Sequence, residues 1–437
     1  MIYDAQRRLM LPAGLSIGSG VRGGAPPEPV PLYSFSFADT FAAGFPSVAA
    51  QSAQGWRSQR PSFSSAYVQL SASSWDGPTV SGSGDSDGRI QQFASDRRGF
   101  LLEPEMEIGG TVNYLNYSTD LTTVINAQLY WLYTQGPPAA SYSSAGSSPR
   151  VGFTNGTRVV AAVGDYANYS YGFNLLGIST RYYVYSQWAR AASGTQTHYR
   201  RFGDNIVSST VNTTWEFQQI SDLYNNGDTK YVVPVGNLGT SPVAADIYVT
   251  QAQLHRGRIA LSPILTTGGA VSKRGDILYT TAGTAAVMMG AGGRLSVYLS
   301  FVPLGPLSHM GDEGAVPYLW LWGAAVSTWL DFVPATRIAT LHVPAGSYAF
   351  PTPLPDCARG DYYEVNLSTN SNGNSTLKAR VNGGSVTNCG TSGVLAAANL
   401  VNPVFAPCNA GASQQQIPCM VDRIRTYAPG DIPVWAQ

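Results

Sequence analysis

Four histidines are the side chains of this 437-residue chain best suited to general acid–base chemistry. They are His198, His255, His309 and His342, and none lies in a G-x-S-x-G or H-E-x-x-H pattern. Glycan cleavage would need only two opposed carboxylates, for which the candidates are Asp312, Glu313, Asp361 and Glu364. Ordinary solvated positions are the favoured interpretation of these carboxylates. The sequence therefore predicts no catalytic residue, and a glycan-degrading depolymerase is its least favoured interpretation.

The cysteines and one acidic loop contain the residue types that could bind a metal ion. The four cysteines are Cys357, Cys389, Cys408 and Cys419, and they lack the paired C-x-x-C spacing of a zinc site. Two disulfides and four free buried thiols are both open interpretations. Asp85, Asp87 and Gly88 resemble the start of a calcium loop, but no Glu completes it, so a plain turn is favoured. No metal or cofactor is expected.

Aromatic rings are the candidate ligand-binding groups, because their faces stack on the apolar face of a sugar ring. The turn-rich stretch YANYSYGF at 166–173 supplies Tyr166, Tyr169 and Tyr171. Trp320 and Trp322 alternate along YLWLWG and are expected to share one face of a strand. These five residues are the predicted glycan-binding residues. Packing in a core or between subunits is the alternative for each of them.

Composition argues against several classes of protein. Lys plus Arg and Asp plus Glu both number 26, so the net charge is zero and the basic surface of a nucleic-acid binder is not expected. No apolar stretch is long enough to cross a membrane, and the first residues lack the apolar core of a signal peptide. Only 12% of the residues are charged. Since low charge limits the solubility of a free monomer, a homo-oligomer is expected.

Short apolar runs separated by turn residues predict an all-β protein with two jelly-roll or β-sandwich domains in tandem. Residues 1–32, rich in Gly and Pro, are predicted to be an extended arm that packs against another chain, with a coil wrapped on its own protein as the alternative. Residues 33–282 are the predicted first domain with its lead-in, and 283–437 the second. Alternation in the first domain predicts that Trp188 and Trp215 are core residues, and Trp188, like Trp131, is also a candidate platform for a sugar ring.

Residues 247–278 carry the most specific pattern in the sequence. It resembles the closing segment of a carbohydrate-binding-module-like jelly roll found in many bacteriophage virion proteins, with His255 in place of the usual Glu and Pro263 one position early. The matching residues are Gln253, Leu254, Gly257, Ser262, Ile264, Thr266, Gly268, Val271, Arg274 and Asp276.

Earlier segments resemble the same family in the same order. The opening signature is matched by Asp85, Asp87, Gly88, Ile90, Gly99, Leu101, Leu102, Glu103, Asn113, Leu115, Tyr117 and Ser118. The middle strands are matched by Ser186, Ala189, Ala191, Gly194, Trp215 and Ile220. The family's Arg-Thr pair is replaced here by EMEIGGTV at 105–112, so any role of that Arg is not carried over.

Residues 283–437 resemble, at the level of the fold, the concanavalin A-like lectin module that commonly follows such a jelly roll. The resemblance lies in successive strands, in V-N-G at 381–383 and in DRIRTY at 422–427. The calcium-binding Asp/Asn pattern of that module is not visible, so calcium-dependent sugar binding is not implied.

Together the resemblances imply a structural protein of a tailed-phage virion, in a fibre, spike or tail tip. Such a protein would be a homotrimer, assembled in the host cytoplasm and acting outside the cell. Its partners would be other virion proteins, to which the arm at 1–32 would attach it, and a host cell-surface polysaccharide. The alternative is a capsid decoration or connector protein that binds only other virion proteins.

Overall fold

The structure is a computed structural model. It describes residues 27–36, 56–61, 67–70, 100–104, 106, 111–115, 131–132, 141–145, 156–161, 170–174, 180–225, 229–233, 235, 245–261, 264, 266, 271–273, 277–280, 288, 296–311, 316–322, 328–394, 403–404 and 417–437. Nearly all regular structure in these ranges is β-strand, and every strand pairing is antiparallel. The prediction of an all-β fold of sandwich type is confirmed.

The first strands, in chain order, are β1 (Tyr33–Ser36), β2 (Trp56–Pro61), β3 (Tyr67–Leu70), β4 (Phe100–Leu102), β5 (Thr111–Asn113), β6 (Trp131–Leu132), β7 (Ser141–Ala145), β8 (Gly156–Ala161), β9 (Ser170–Asn174), β10 (Arg181–Ala191), β11 (Gln196–Phe202), β12 (Asn205–Val211), β13 (Glu216–Tyr224), β14 (Thr229–Val233), β15 (Ala245–Arg256), β16 (Val271–Lys273) and β17 (Ile277–Thr280). The remaining strands are β18 (Ser296–Pro303), β19 (Tyr318–Trp322), β20 (Thr328–Val333), β21 (Ile338–Val343), β22 (Gly346–Ala349), β23 (Tyr363–Thr369), β24 (Asn374–Val381), β25 (Thr387–Val394), β26 (Pro403–Val404) and β27 (Cys419–Tyr427). Two single 3₁₀ turns are described, Leu307–His309 and Val434–Ala436.

One pair of sheets, named here the outer sandwich, encloses a single apolar core. Its first sheet runs β1-β27-β18-β23-β24-β25, with β4 also paired to β27, and its second runs β22-β21-β20-β19-β26-β17-β2-β3. Alternate apolar residues of both sheets meet in the core, as Leu299 and Phe301 of the first sheet and Leu330, Phe332 and Leu341 of the second illustrate. Every residue of β18 is buried, which is expected of a central strand covered on both faces.

The other pair of sheets, named here the inserted sandwich, has its own core. Its sheets run β13-β10-β15-β8-β7 and β12-β11-β14-β9-β6. Tyr183 and Leu254 of the first sheet pack with Phe202 and Val232 of the second. The pairing of β10 with β15 shifts register after Ser186, where a β-bulge redirects the following side chains. A separate two-stranded sheet joins β5 and β16.

The strand pairing divides the chain differently from the predicted domains 33–282 and 283–437. Strands β1 and β4 pair with β27, and β2 pairs with β17, so the lead-in belongs to the sheets of the outer sandwich. The inserted sandwich is therefore an insertion between two parts of the outer one. Sequence periodicity predicts where strands lie but not which strands pair. The pairing between strands far apart in the sequence was therefore not predicted.

The described part of the predicted arm, residues 27–32, lies against its own chain and extends the pairing of β1 with β27. The backbone N–H of Leu32 donates to the carbonyl of Thr426 (2.8 Å). The carboxylate of Glu28 accepts from the backbone N–H of Val434 (3.0 Å) and pairs with Arg425 (3.4 Å). This part of the arm thus serves the fold itself, while the rest of 1–32 lies outside the described residues.

The two sandwiches meet in a buried joint formed by the chain after β15. Ile259 is buried in the core of the outer sandwich, where a Cβ added to Gly305 would lie only 2.8 Å from its side chain. Arg359 donates to the carbonyls of Ala260 (3.2 Å) and Leu304 (2.7 Å). Its guanidinium also lies 4.2 Å from the ring centre of Phe217 in the inserted sandwich. Apolar burial and a cation–π contact therefore hold the sandwiches together.

The side chain of Asn113 joins the start of the insertion to its end through hydrogen bonds. Its amide donates to the carbonyls of Ile264 (2.6 Å) and Ala252 (3.4 Å). Its oxygen accepts from the backbone N–H groups of Leu115 (3.1 Å) and Leu254 (3.0 Å). Nearby, Gln253 accepts from the N–H of Ile264, and Thr266 donates to the carbonyl of Leu115. This group, named here the Asn113 clasp, unites residues from both the opening and the closing signatures of the sequence.

Three cysteines, Cys357, Cys389 and Cys419, are free and buried in the structure, as the free-thiol interpretation expects. Burial disfavours the thiolate and raises the pKa of Cys357 and of Cys389 to about 12, and it raises the pKa of Cys419 as well. Cys408 lies outside the described residues. No helix in the part of the chain that the structure describes is long and apolar enough to cross a membrane.

Replacing Asn113 with Ala should destabilise the protein by about 2–4 kcal/mol, because four hydrogen bonds of a fully buried side chain are lost at once. We expect the first thermal transition, measured by scanning calorimetry, to shift down by several degrees. Asn372→Ala, at an exposed turn position, is the matched control and should leave the transition unchanged. Equal behaviour of the two variants would contradict the role of the clasp.

The buried thiols should be unreactive in the folded protein. In a Cys408→Ser variant at pH 8, Ellman's reagent should detect no thiol before unfolding, because burial keeps the three thiols protonated and inaccessible. After unfolding in guanidinium without reductant, it should detect three thiols per chain. A lower count in the unfolded protein would reveal a disulfide and refute the free-thiol assignment.

Candidate functional site

The outer face of one sheet of the inserted sandwich carries a row of arginine and aromatic side chains that crosses four neighbouring strands. The row consists of Trp215, Arg190, Tyr248 and Arg158, and is called here the arginine–aromatic row. Arg190 of β10 is directly opposite Tyr248 of β15, which is opposite Arg158 of β8. Trp215 immediately precedes β13, the strand on the other side of β10. Strand alternation keeps these residues on the face opposite the buried Ile247, Val249 and Ala189.

Cation–π contacts connect the members of the row. The guanidinium carbon of Arg190 lies 4.1 Å from the ring centre of Tyr248 and 5.2 Å from that of Trp215. The guanidinium carbon of Arg158 lies 5.7 Å from the ring centre of Tyr248. All four side chains are half-buried, and each contact is an electrostatic attraction between a guanidinium and the face of an aromatic ring. The row is therefore ordered by its own contacts before any ligand arrives.

A bidentate ion pair sets the charge at one end of the row. Arg158 donates from Nε to Oδ1 of Asp246 (2.8 Å) and from Nη2 to Oδ2 (2.7 Å), and this contact raises the pKa of Arg158. The backbone N–H of Asp246 in turn donates to the side-chain oxygen of Gln196 (2.8 Å). Both charged side chains keep about a third of their surface exposed, at 40% and 29%. The end of the row therefore offers donors and acceptors side by side.

The other end of the same face is occupied by the joint between the sandwiches. Trp188 and Phe217 pack edge to face with ring centres 5.4 Å apart, and Arg359 covers Phe217. The side-chain oxygen of Gln219 accepts from the backbone N–H of Ala260 (3.1 Å). Because this half of the face is used for packing, the arginine–aromatic row is the half on which a ligand could lie.

Beneath the face, the interior of the inserted sandwich contains a buried polar network. Arg200 and Gln218 donate to the hydroxyl of Ser209 from 2.9 and 3.0 Å. Gln187 donates to Gln218 (3.5 Å) and accepts from the hydroxyl of Tyr185. Burial lowers the pKa of Arg200. A one-residue slip of any strand would break these bonds, so the network fixes the register of the sheet that carries the row.

The arrangement of the row suits the recognition of carbohydrate. Aromatic faces stack on the apolar face of a pyranose, and guanidinium groups donate to hydroxyl or carboxylate oxygens in fixed directions. Because the row lies on the flat face of a sheet, contact with a ligand would be shallow and extended along the sheet. A chain of sugars matches that geometry better than a small molecule, which binds in concave pockets.

The predicted sugar-binding residues fall mainly outside what the structure describes. Tyr166 and Tyr169 lie outside the described residues, and so do the side chains of Tyr171, Trp320 and Trp322. The backbone of Tyr171 lies in β9, and that of Trp320 and Trp322 in β19, opposite Leu330 and Thr328 of β20. The glycan roles of these five residues stay predictions.

Two tryptophans predicted to be core residues are instead half-buried on the outer face. Trp188 packs beside the joint, and Trp215 ends the arginine–aromatic row. The sequence carried a signal for this placement, because Arg190 follows Trp188 by two positions and therefore shares its face of the strand. An arginine in register with the tryptophans favours an outer face over a core.

The candidate carboxylates that the structure describes serve the fold. Glu364 is buried, receives two hydrogen bonds from Arg380 (2.6 and 2.9 Å) and one from the hydroxyl of Tyr298 (2.9 Å). Asp361 accepts from the side chain of Asn382 (2.8 Å) and from the backbone N–H of Ala358 (2.6 Å). The other two candidates, at 312 and 313, lie outside the described residues.

His255, which stands where the resembling family has Glu, is a buried structural residue. Its Nδ1 lies 2.6 Å from the carbonyl of Arg256, and its Nε2 accepts from the backbone N–H of Leu261 (3.2 Å). These contacts assign a neutral imidazole with the proton on Nδ1. Within the ranges that the structure describes, no group of three His, Cys, Asp or Glu side chains is placed to hold a metal ion.

No family model matches this sequence. A search of the curated proteins likewise gave no match.

Proposed function

We propose that this chain is a structural protein of a tailed-phage virion, in a fibre, spike or tail tip, that binds a host-surface polysaccharide. The arginine–aromatic row is the observation that carries the binding part of the proposal, because it combines stacking faces with hydrogen-bond donors on one accessible sheet face. The bound ligand would lie across β13, β10, β15 and β8, with Trp215 and Tyr248 under successive sugar rings.

The Asn113 clasp supports the assignment to virion proteins. Asn113 and Leu115 match the opening signature of the resembling jelly roll, and Gln253, Ile264 and Thr266 match its closing segment. In the fold these residues bond to one another across the two ends of the insertion. Because these residues bond to one another in the fold, the opening and closing signatures would occur in the same protein although they are far apart in the sequence.

Adhesion through such a surface would depend on many copies. A shallow site of a few stacking and hydrogen-bonding groups binds weakly, and several sites held on one particle bind strongly through their high effective concentration. A homotrimer held on the virion by other virion proteins would provide those copies. The proposal therefore includes a homotrimer, assembled in the host cytoplasm and acting outside the cell.

The alternative is a decoration or connector protein that binds only other virion proteins. One observation favours it, because half-buried Trp, Tyr and Arg are also the residues that dominate the binding energy of protein interfaces. In that case the arginine–aromatic row would be covered in the assembled particle and would bind no sugar.

Purified protein should bind host cells and their isolated surface polysaccharide saturably, without releasing oligosaccharide into the same tube. Trp215→Ala and Tyr248→Ala should each weaken binding to the polysaccharide about tenfold, since one lost stacking contact of about 1.4 kcal/mol changes the affinity tenfold. Tyr199→Ala is the matched control, because Tyr199 is a half-buried tyrosine on the opposite sheet.

Three outcomes would redirect the proposal. Binding to virion proteins without binding to polysaccharide would support the decoration or connector alternative. Equal binding by all three variants would place the sugar site elsewhere on the chain. Release of oligosaccharide would establish a glycan-degrading enzyme.

The oligomeric state is a separate prediction. Light scattering after size-exclusion chromatography should give three times the chain mass of 46.4 kDa, because the low charge of the chain favours covered surfaces. A monomer both in solution and in the particle would refute the homotrimer.

A further inference from the structure

Three neighbouring strands of the outer sandwich bring a serine, a histidine and an aspartate into one hydrogen-bonded line. Trp329 of β20 is opposite His342 of β21, and His342 is opposite Ser347 of β22. Asp331 lies two residues after Trp329 on the same face of β20. The hydroxyl of Ser347 lies 2.7 Å from Nδ1 of His342, and Nε2 of His342 lies 3.0 Å from Oδ2 of Asp331.

The hydrogen bonds select one tautomer of His342. A carboxylate only accepts, so the proton of the neutral imidazole belongs on Nε2, facing Asp331. Nδ1 then carries the lone pair and accepts from the hydroxyl of Ser347. This is the relation that makes a serine nucleophilic in acyl-transfer enzymes, where a carboxylate orients a histidine that removes the proton of the serine.

Packing holds the histidine in this orientation. The indole of Trp329 stacks on the imidazole with ring centres 4.4 Å apart and planes 9° from parallel. The indole N–H also donates to Oδ2 of Asp331 (2.9 Å). Burial raises the pKa of Asp331, while the contacts with His342 and Trp329 act against that rise. The aspartate is buried, the histidine half-buried and the serine exposed, so exposure to solvent increases along the line from Asp331 to Ser347.

The backbone of β22 offers a donor beside the serine. The N–H of Phe350 donates to the carbonyl of Ala339 (2.9 Å), and antiparallel pairs alternate between bonded and non-bonded. Ser347 and His342 therefore form a non-bonded pair, in which the side chains approach most closely and the N–H of Ser347 points away from β21. Since β22 ends its sheet, that N–H faces the outer edge, where it could stabilise an oxyanion.

We propose that Ser347, His342 and Asp331 form an esterase site that removes short acyl groups, such as acetyl, from an exposed alcohol. Ser347 Oγ attacks the ester carbonyl carbon while His342 Nδ1 takes the hydroxyl proton. The tetrahedral intermediate expels the alcohol, which receives that proton, and an acyl-serine remains. Water then attacks the acyl group, His342 takes a proton from the water, and the carboxylic acid leaves as that proton returns to Ser347.

The position of the site indicates the substrate class. Ser347 is exposed on the surface of a strand, so it can reach an acyl group borne by a large polymer. Tyr318 packs edge to face on Trp329 with ring centres 6.3 Å apart and extends the aromatic surface beside the site. An O-acetylated polysaccharide fits this surface. The activity goes beyond the proposed adhesion and does not depend on it, because the two sites lie on different sandwiches.

The test uses the full chain, p-nitrophenyl acetate as substrate and a fluorophosphonate as covalent probe. The wild type should hydrolyse the ester, and mass spectrometry should find the probe on Ser347. Ser347→Ala and His342→Gln should each lower the rate about 100-fold or more while leaving the thermal transition close to that of the wild type. Ser208→Ala, at an exposed serine on β12, is the matched control and should retain the full rate.

Two results would overturn the proposal. One is hydrolysis that persists unchanged in Ser347→Ala, which would show that other groups cleave the ester. The other is a folded wild type that neither hydrolyses the ester nor takes up the probe. Labelling of Ser347 that is lost in His342→Gln would support the assignment independently of the rate, because a merely structural hydrogen bond would not make the serine reactive.

Discussion

The amide of Asn113 is the interaction on which the rest of the architecture depends. It bonds to residues 139 and 151 positions further along the chain, at the point where the insertion begins and ends. Four buried backbone groups obtain their partners from this single side chain, and leaving any of them unsatisfied would carry a desolvation penalty. With the ends of the insertion fixed, Ile259 reaches the core of the outer sandwich and Arg359 reaches Phe217. The sheet that carries the arginine–aromatic row is thereby held in place.

Local pattern was enough to predict the class of the fold and many of its strands. The alternation through 182–191 corresponds to β10, the apolar run that starts at Ile247 lies in β15, and the turn residues between runs fall between strands. The pairing of β2 with β17 and of β4 with β27 could not be predicted, because strand partners are chosen by packing over the whole chain. The lead-in, which the sequence groups with the first domain, therefore pairs with strands of the outer sandwich.

The candidate sites could not be predicted from local pattern either, because they too depend on which strands pair. Trp215 and Tyr248 are far apart in sequence, and only the registers of β13, β10 and β15 bring them to the two sides of Arg190. Ser347 and His342 are close in sequence but belong to no short motif, since a hairpin rather than a loop signature places them side by side. Conversely, the aromatic stretch at 166–173 was easy to see in the sequence and lies largely outside the described residues. Residue types in the sequence indicated the chemistry, whereas the register of the strands determined which residues lie close enough to act together.

The placement of β27 between β1 and β18 has a consequence for the timing of biosynthesis. Glu28 and its partner Arg425 are 397 positions apart, so a ribosome adding about 5–20 residues per second needs about 20–80 s to make one after the other. Until β27 has been made, β1 and β4 have no partner strand, whereas the strands of the inserted sandwich, the last of which ends at Arg256, have all emerged by then. The inserted sandwich can therefore fold first, and the outer sandwich closes only on chains that have been translated past Tyr427. Unpaired early strands are prone to aggregation, so β1 remains prone to it for about 20–80 s, until β27 has been made.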